Sequence, residues 1–167
     1  MQSDFLLRAY NAAVGAKHIF PGFAACEAAL ESSWGHSQLA LSANNLFGQK
    51  QDHPPMEGTG TIAMPTREFL HGSWVKVLAN WAKFPDWDAS FAARMRVLER
   101  MSGSYPHYAA ALRASNGEQF IVEVSKSWST DPQRAGKVLS IYDEHHSVFP
   151  AASSVVPAPE KSAVAAA

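Results

Sequence analysis

The sequence predicts an α+β domain with a mainly helical body and one small β-hairpin. Apolar residues recur at helical spacing up to residue 43 and again after residue 85. Between these regions, residues 74–82 place successive side chains on alternate faces, which is the period of a strand. A chain of 167 residues is long enough for one domain with a substantial core and short for two.

Three helices are predicted in the first part of the chain. Ser3 or Asp4 can cap a helix that ends near residue 17. Pro21 suits the first position of a second helix that ends near residue 33. Because this second helix is rich in alanine, neighbouring elements can approach it closely, and we predict that it is the central helix. Residues 37–43 predict a short third helix.

A β-hairpin is predicted after a polar loop at residues 49–60, which are rich in proline and glycine. Its strands are residues 59–69 and 73–84, joined by a turn at His71-Gly72. Alternation in the second strand places two sets of side chains on opposite faces: Trp74, Lys76, Leu78, Asn80 and Ala82 on one, and Val75, Val77, Ala79 and Trp81 on the other. We expect the hairpin to form a small lobe beside the helices.

Helices return after Pro85. Asp88 is predicted to cap the first of them, and Pro106 to start a short second one. Residues 117–127 predict a third helix, with a strand as the alternative because of their β-branched residues. Thr130-Asp131-Pro132 predicts the start of a last helix that runs to about residue 145, with Asp131 as its cap.

Composition limits the function classes. The net charge is −1 and there is no long basic run, so we expect no nucleic-acid partner. No stretch approaches the roughly 20 apolar residues of a membrane span, so no membrane insertion is expected. Cys26 is the single cysteine, which excludes an internal disulfide, and its apolar surroundings predict a buried thiol.

The ends of the chain carry separate expectations. Residues 1–5 lack the basic start of a secretory signal, so export by another route or a longer parent protein is expected. Residues 1–149 are predicted to form the domain. Residues 150–167 consist mainly of Ala, Ser, Pro and Val and predict a disordered tail or linker.

One acidic residue, Glu31, has surroundings suited to catalysis. It follows the alanine-rich run and precedes Trp34 and Gly35. A carboxyl group at the end of a mostly buried helix, facing an aromatic-lined opening, can have its pKa raised toward neutrality and can then donate a proton to a leaving oxygen. The alternative is a solvated glutamate at a helix end. Glu27, one turn earlier, is predicted to be structural, or to form an ion pair with a neighbour.

Short motifs along the chain resemble the glucosaminidase domain of glycoside hydrolase family 73. They are LESSWG (30–35), SQLA (37–40), NNLFGQK (44–50), PTREF (65–69), FPDW (84–87), YAAAL (108–112) and STDP (129–132). They follow the family's order and span residues 4–149 approximately. The resemblance implies a lysozyme-like fold with a glycan groove between a helical body and a small β-lobe.

The resemblance also implies an activity. The expected reaction is hydrolysis of the β-1,4 bond after N-acetylglucosamine (GlcNAc) in peptidoglycan, with Glu31 as the general acid. The expected partner is therefore the peptidoglycan glycan strand, met in the periplasm, in the cell wall or outside the cell. We expect a monomer that needs no cofactor.

A second carboxylate is expected at Glu68, because it matches the Thr-x-Glu-aromatic segment of the family's β-lobe. It would act as a base on water or stabilise an oxocarbenium ion. Asp52 and Glu57 lie in the loop before the hairpin and could reach the same groove. The substrate's own 2-acetamido oxygen could also attack, as in known substrate-assisted families.

Four residues near Glu31 are candidates for binding the glycan. Amide side chains, here Asn44 and Asn45, can both donate to and accept from acetamido and hydroxyl groups. An aromatic face such as that of Phe47 can stack on a sugar. Packing in the core is the alternative for Phe47, and packing around Glu31 is the alternative for Trp34.

The chain departs from the family at Trp128, where a functional tyrosine is usual two residues before Thr-Asp-Pro. An indole keeps an aromatic wall but its N–H only donates, whereas a phenol also accepts. Trp128 can therefore form an aromatic wall for the substrate, but it cannot take over the hydrogen bonds that the tyrosine hydroxyl would accept. Tyr108 or Tyr105 could take it over, and Tyr108 is a candidate substrate contact.

Alternative functions are a muramidase or lytic transglycosylase on the same fold, or a non-catalytic glycan-binding or scaffold module. Metal-dependent chemistry is not expected, because His145 and His146 are adjacent and no His-Glu-x-x-His motif occurs.

Overall fold

The order of helices and strands confirms the predicted α+β fold. The computed structural model describes residues 1–51, 58–70 and 73–150, without the side chains of residues 67–70 and 74. The elements are α1 (Gln2–Gly15), α2 (Pro21–Glu31), α3 (Gln38–Ala43), β1 (Gly60–Leu70), β2 (Ser73–Lys83), α4 (Trp87–Met101), α5 (Pro106–Leu112), α6 (Gly117–Trp128) and α7 (Arg134–His145), followed by a 3₁₀ turn (His146–Val148). The predicted turn at residues 71–72 and the tail from residue 151 lie outside the described residues.

Helix α2 is the central helix, as predicted. Its side chains from Ala24 to Ala29 are buried, and it packs against α1, α6 and α7. The small alanine side chains let these helices approach closely, so the residues of α2 are surrounded on several sides. Cys26 lies in this core, where burial raises the pKa of its thiol to about 12. The prediction of a buried thiol is confirmed.

The hairpin is antiparallel, with Gly60 opposite Lys83 and Leu70 opposite Ser73. Alternation is confirmed over residues 75–81, because Trp81 and its same-face neighbours are partly covered whereas Leu78 on the opposite face is 73% exposed. Ala82, predicted on the face of Leu78, is instead buried, because the end of the strand packs against the helical body. At its open end the hairpin is joined to the helical body. The amides of Ala82 and Phe84 donate to the carbonyls of Gln49 and Ala43.

Three predicted helix starts are wrong in detail. Helix α1 begins at Gln2 with Met1 as its N-cap, so Ser3 and Asp4 lie inside its first turn. Asp86, rather than Asp88, caps α4, since its Oδ1 accepts from the Ala89 amide at 2.8 Å. Helix α7 begins at Arg134, beyond the Thr-Asp-Pro signal. Asp131 instead accepts from the Gln133 amide at 2.9 Å, so it forms a turn ahead of the helix. A side chain that can cap a turn does not by itself specify where the helix begins.

Residues 117–128 form a helix, and the alternative of a strand is wrong. The apolar side chains of Phe120, Ile121 and Val124 share one buried face, which outweighs the lower helix propensity of β-branched residues. Gly117 lies directly against the ring of Phe23, where a β-carbon would overlap it. The absence of a side chain therefore lets α6 pack closely on α2. None of the helices in the described ranges is long and apolar enough to cross a membrane.

His18 is buried between α1 and α2. Its Nδ1 accepts a hydrogen bond from the Phe20 amide at 3.1 Å, and its ring meets the edge of Phe120. Burial lowers its pKa from 6.5 to about 4; the carboxylate of Glu27 opposes this shift and the guanidinium of Arg94 adds to it. The folded protein therefore holds His18 neutral, whereas the unfolded chain binds a proton below pH 6.5.

We expect His18 to make the protein sensitive to mild acid. Its contribution to the free energy of unfolding is complete above pH 6.5 and is lost as the pH falls toward 4, an effect of about 3 kcal/mol. Urea denaturation at pH 7, 5.5 and 4.5 measures this loss. His18→Asn keeps an acceptor for the Phe20 amide but does not titrate, so it should lose less stability over this range. Equal losses in the two proteins would contradict the prediction.

Candidate active site

Glu31 is the last residue of α2, where a sharp turn brings its carboxylate to the edge of the core. Ser33, Trp34 and Gly35 all have positive φ, so the chain leaves the helix through a left-handed segment. Gly35 is required there because its φ is +79° and a β-carbon would press on the ring of Phe5. The side chain of Glu31 is 23% exposed as a result.

An ion pair holds Glu31 on its buried side. Arg134 Nε lies 2.6 Å from Glu31 Oε1, and the arginine side chain is 2% exposed. Arg134 is the first residue of α7, so the pair joins the end of one core helix to the start of another. One oxygen of the carboxylate is thereby fixed, and among the described residues nothing hydrogen-bonds to the other, Oε2.

Glu27 lies one turn before Glu31 and is completely buried between two arginines. Its Oε1 accepts from Arg94 Nη2 at 2.9 Å and from Arg134 Nη2 at 2.7 Å. Burial alone would raise the pKa of Glu27, but the guanidinium groups of Arg94 and Arg134 outweigh it and hold that pKa below its ordinary value. The predicted structural, ion-paired role of Glu27 is confirmed.

We call Glu27, Glu31, Arg94 and Arg134 the charge cluster. Two negative and two positive side chains balance, which offsets the cost of burying them. The two arginines were not predicted as part of the site. The sequence pattern could have indicated Arg94, because it shares the buried face of α4 with Phe91 and Leu98. A charged residue on such an apolar face predicts a buried ion pair.

Trp128 covers the charge cluster from the end of α6. The guanidinium carbon of Arg94 is 3.5 Å from the centroid of its ring, a cation–π contact. Tyr108 lies beside it and is mostly buried, with its hydroxyl donating to the Ser127 carbonyl at 3.2 Å. Tyr105 is the more exposed of the two candidate tyrosines.

A surface cavity of about 790 Å³ adjoins the charge cluster. Its walls include Ser125 and Trp128 from α6, Thr130 and Pro132 from the turn before α7, and Tyr105 from the start of α5. Ser125 links the cavity to the cluster, because its hydroxyl accepts from Arg134 Nη1 at 2.8 Å. The cavity wall thus meets the charge cluster at two points, since the Ser125 hydroxyl bonds to Arg134 and the Trp128 ring lies over Arg94.

Asn45 and Phe47 do not lie at a surface, so the structure does not support their predicted contact with the glycan. Both are 1% exposed. The Asn45 amide donates to the carbonyls of Gln49 and Ala82, and Phe47 packs edge-on against Phe91. Asn45 thus ties the loop after α3 to the hairpin, and Phe47 adopts the core alternative.

Asn44 and Trp34 are partly exposed, and each also contacts other elements of the fold. Asn44 ends α3 in the left-handed conformation, and its side-chain amide donates to the carbonyls of Phe84 and Pro85. Trp34 packs between Phe5 and His145. Both residues hold elements of the body in place, and their partly exposed atoms remain candidates for substrate contact.

The second carboxylate is expected at Glu68. Glu68 lies in β1 opposite Val75, but its side chain is outside the described residues. Asp52 and Glu57 also lie outside them. The assignment of Glu68 therefore stays a prediction.

Comparison with known proteins shows the family. The model for the glucosaminidase domain, described as mannosyl-glycoprotein endo-β-N-acetylglucosaminidase, matches residues 7–147. The chain is 30% identical over 145 residues to the exo-glucosaminidase LytG of Bacillus subtilis, covering 83% of this chain and 50% of LytG. It is 29% identical over 138 residues to a probable N-acetylmuramidase of Lactococcus lactis subsp. cremoris, covering 78% of this chain and 30% of that protein.

The fold has a solved counterpart. The catalytic domain of the autolysin Auto from Listeria monocytogenes superposes with a TM-score of 0.73 at 23% identity, covering 87% of this chain and 84% of that one. This likeness shows the fold, which is lysozyme-like as predicted. The chain spans half or less of the length of the two curated relatives above. With a family match along nearly all of its described length, the chain belongs to the glucosaminidase family of glycoside hydrolases, family 73.

Proposed function

We propose that the domain is an endo-β-N-acetylglucosaminidase that cleaves the β-1,4 bond between GlcNAc and N-acetylmuramic acid (MurNAc) in peptidoglycan. The observation that carries this proposal is the position of Glu31 in a chain of this family. It is the one carboxylate of the charge cluster that reaches solvent, since Glu27 is completely buried. Glycoside hydrolysis needs a carboxylic acid beside the glycosidic oxygen, and Glu31 supplies it.

The cavity beside the charge cluster supports a carbohydrate substrate. Ser127 and Thr130 in its walls can hydrogen-bond to sugar hydroxyl groups, and Trp128 and Tyr105 offer aromatic surfaces. We propose that Trp128 contributes a wall of the glycan groove. Tyr108 supports that wall from behind, because its ring lies next to Trp128 and its hydroxyl bonds to the backbone.

The group that acts with Glu31 is proposed to be Glu68, as a base or as a stabiliser of the oxocarbenium ion. Asp52, Glu57 and the substrate's 2-acetamido group are the alternatives. A retaining enzyme has its two carboxyl groups about 5 Å apart, and an inverting one roughly 6.5–9.5 Å apart. The stereochemistry of the first product therefore distinguishes these routes. We further propose that the domain acts as a monomer on wall peptidoglycan, in the periplasm or outside the cell.

The bond that is cut identifies the activity. Purified peptidoglycan is digested with the protein, reduced with borohydride and analysed by mass spectrometry. We expect reduced GlcNAc at the new chain ends, because cleavage after GlcNAc leaves that sugar with a free reducing end. Sampling early in the digestion separates an endo-enzyme, which releases fragments of mixed length, from an exo-enzyme, which releases only terminal units.

A muramidase is the second candidate, favoured by the similarity to the probable N-acetylmuramidase of Lactococcus lactis. It would leave reduced MurNAc at the new ends, and a lytic transglycosylase would leave 1,6-anhydro-MurNAc. Either product would show that the enzyme cleaves after MurNAc and would contradict the proposed cleavage after GlcNAc. Binding to the wall without any new chain ends would instead show a non-catalytic glycan-binding module.

A further inference from the structure

We propose that Arg134 is a positioning residue for the reaction: it fixes Glu31 Oε1 and leaves Oε2 as the oxygen that carries the proton to the glycan. The proposal rests on the proposed function, in which Glu31 is the general acid. It assigns a role to a residue on a different helix, 103 positions away in the sequence. The contacts of its guanidinium group supply the argument.

Each nitrogen of the Arg134 guanidinium group bonds to a different side chain. Nε donates to Glu31 at 2.6 Å, Nη1 donates to Ser125 at 2.8 Å, and Nη2 donates to Glu27 at 2.7 Å. Because the group is planar and rigid, three acceptors from two helices leave it one orientation. The position of Oε1 is therefore set by α2 and α6 together with α7.

Glu27, which holds Arg134, is itself held in place by a second arginine. Its Oε1 is shared between Arg134 and Arg94, and Arg94 is covered by the ring of Trp128. A continuous series of contacts thus runs from the cavity wall at Trp128 to Glu31. Burial of Glu27, Arg94 and Arg134 keeps water from competing for these bonds.

Fixing one oxygen decides which atom reacts. A protonated Glu31 can keep accepting from Arg134 at Oε1 while Oε2 carries the proton. In the proposed step, that proton moves to the glycosidic oxygen, and the electrons of the broken C1–O bond leave with that oxygen. The electron-poor C1 then forms a new bond to water or to the group that acts with Glu31. Glu31 becomes a carboxylate. The guanidinium group of Arg134 stays hydrogen-bonded to Oε1 and keeps the new carboxylate in the position that the acid held.

The test compares Arg134→Lys with wild type in kcat and KM on soluble, uncrosslinked peptidoglycan strands. Lysine keeps the positive charge but cannot serve three acceptors in one plane. We expect kcat to fall by about 10- to 100-fold, since a small misplacement of a reacting group can cost about 100-fold. We expect KM to change by less than about twofold, because Arg134 is buried and has no surface to offer the glycan.

Two further variants separate positioning from a structural role. Ser125→Ala removes one of the three acceptors and leaves both ion pairs, so it should fold normally and lower kcat by about three- to tenfold. Arg113→Lys makes the same exchange at an exposed arginine directly after α5 and should match wild type. Each kcat is expressed per folded molecule, with folding measured by circular dichroism and thermal unfolding.

Unchanged kcat per folded Arg134→Lys molecule would overturn the positioning role, even if the variant were less stable. So would an equal fall in kcat for Arg113→Lys. Failure of the proposed function is distinct, because wild type would then release no new reducing ends, or Glu31→Gln would remain fully active. A wild-type enzyme that cleaves, an inactive Glu31→Gln and a fully active Arg134→Lys would overturn the positioning inference alone.

Discussion

Replacing Glu31 with glutamine is expected to lower the rate of glycan cleavage by about 10²- to 10⁴-fold while leaving the fold intact. Glutamine has nearly the same shape, and its amide oxygen can still accept from Arg134 Nε. Its amide nitrogen cannot supply an acidic proton to the leaving oxygen. The substitution therefore removes the proposed chemistry and keeps the hydrogen bond that positions the side chain.

Cleavage is measured by the clearing of a cell-wall suspension and by the release of new reducing ends. Binding to insoluble peptidoglycan, measured by sedimentation, should be retained. Glu118→Gln is a matched control, because Glu118 is exposed at the start of α6. It should clear walls at the wild-type rate. If Glu31→Gln does so as well, the assignment of Glu31 as the general acid is wrong.

Replacing Glu27 with glutamine is expected to lower the free energy of unfolding by about 3–5 kcal/mol. The neutral side chain would leave the guanidinium groups of Arg94 and Arg134 buried with less negative charge to balance them. Arg134 would keep Glu31 as a partner, but Arg94 would lose its ion pair with a carboxylate. Urea denaturation at pH 7 measures the change.

Acid should reduce the difference between Glu27→Gln and wild type. Although burial opposes its ionisation, the two guanidinium groups hold the pKa of Glu27 below the ordinary value of 4.5. Its contribution is therefore complete above pH 4.5 and is lost as the pH falls through the lower, folded-state pKa. Glu31→Gln is the comparison variant, because its side chain is partly exposed and should cost less stability. A loss below about 1 kcal/mol for Glu27→Gln would show that the cluster is not a major stabilising element.

Local patterns predicted most of the elements of this fold. The alanine-rich run before Glu31 predicted a central helix, and the alternation around Trp81 predicted a hairpin with one covered face. These predictions hold because backbone conformation follows periodicity and turn residues over a few positions. The boundaries at Asp86 and Arg134 differ because more than one nearby side chain can cap a turn.

Residue type alone did not place the side chains near the active site. Asn45 was predicted to bind substrate because its amide suits sugars, but the same donors and acceptors suit the backbone of Gln49 and Ala82. Phe47 is apolar enough for either a sugar face or the core, and it packs in the core. The polarity of a side chain determines which groups it can bond to, whereas the packing of the fold determines which groups lie next to it.

The sequence by itself determined the α+β class, the central helix, the position of Glu31 at its end and the resemblance to the family. Only the tertiary structure decided the surroundings of that carboxylate. Arg134 and Arg94 reach α2 from positions 107 and 67 residues away from Glu27. Their pairing depends on how α4, α6 and α7 pack around α2, because a spacing pattern defines the buried face of one helix and not its partners on another. The same packing leaves Glu31 partly exposed and Glu27 buried, although the two carboxylates are one turn apart.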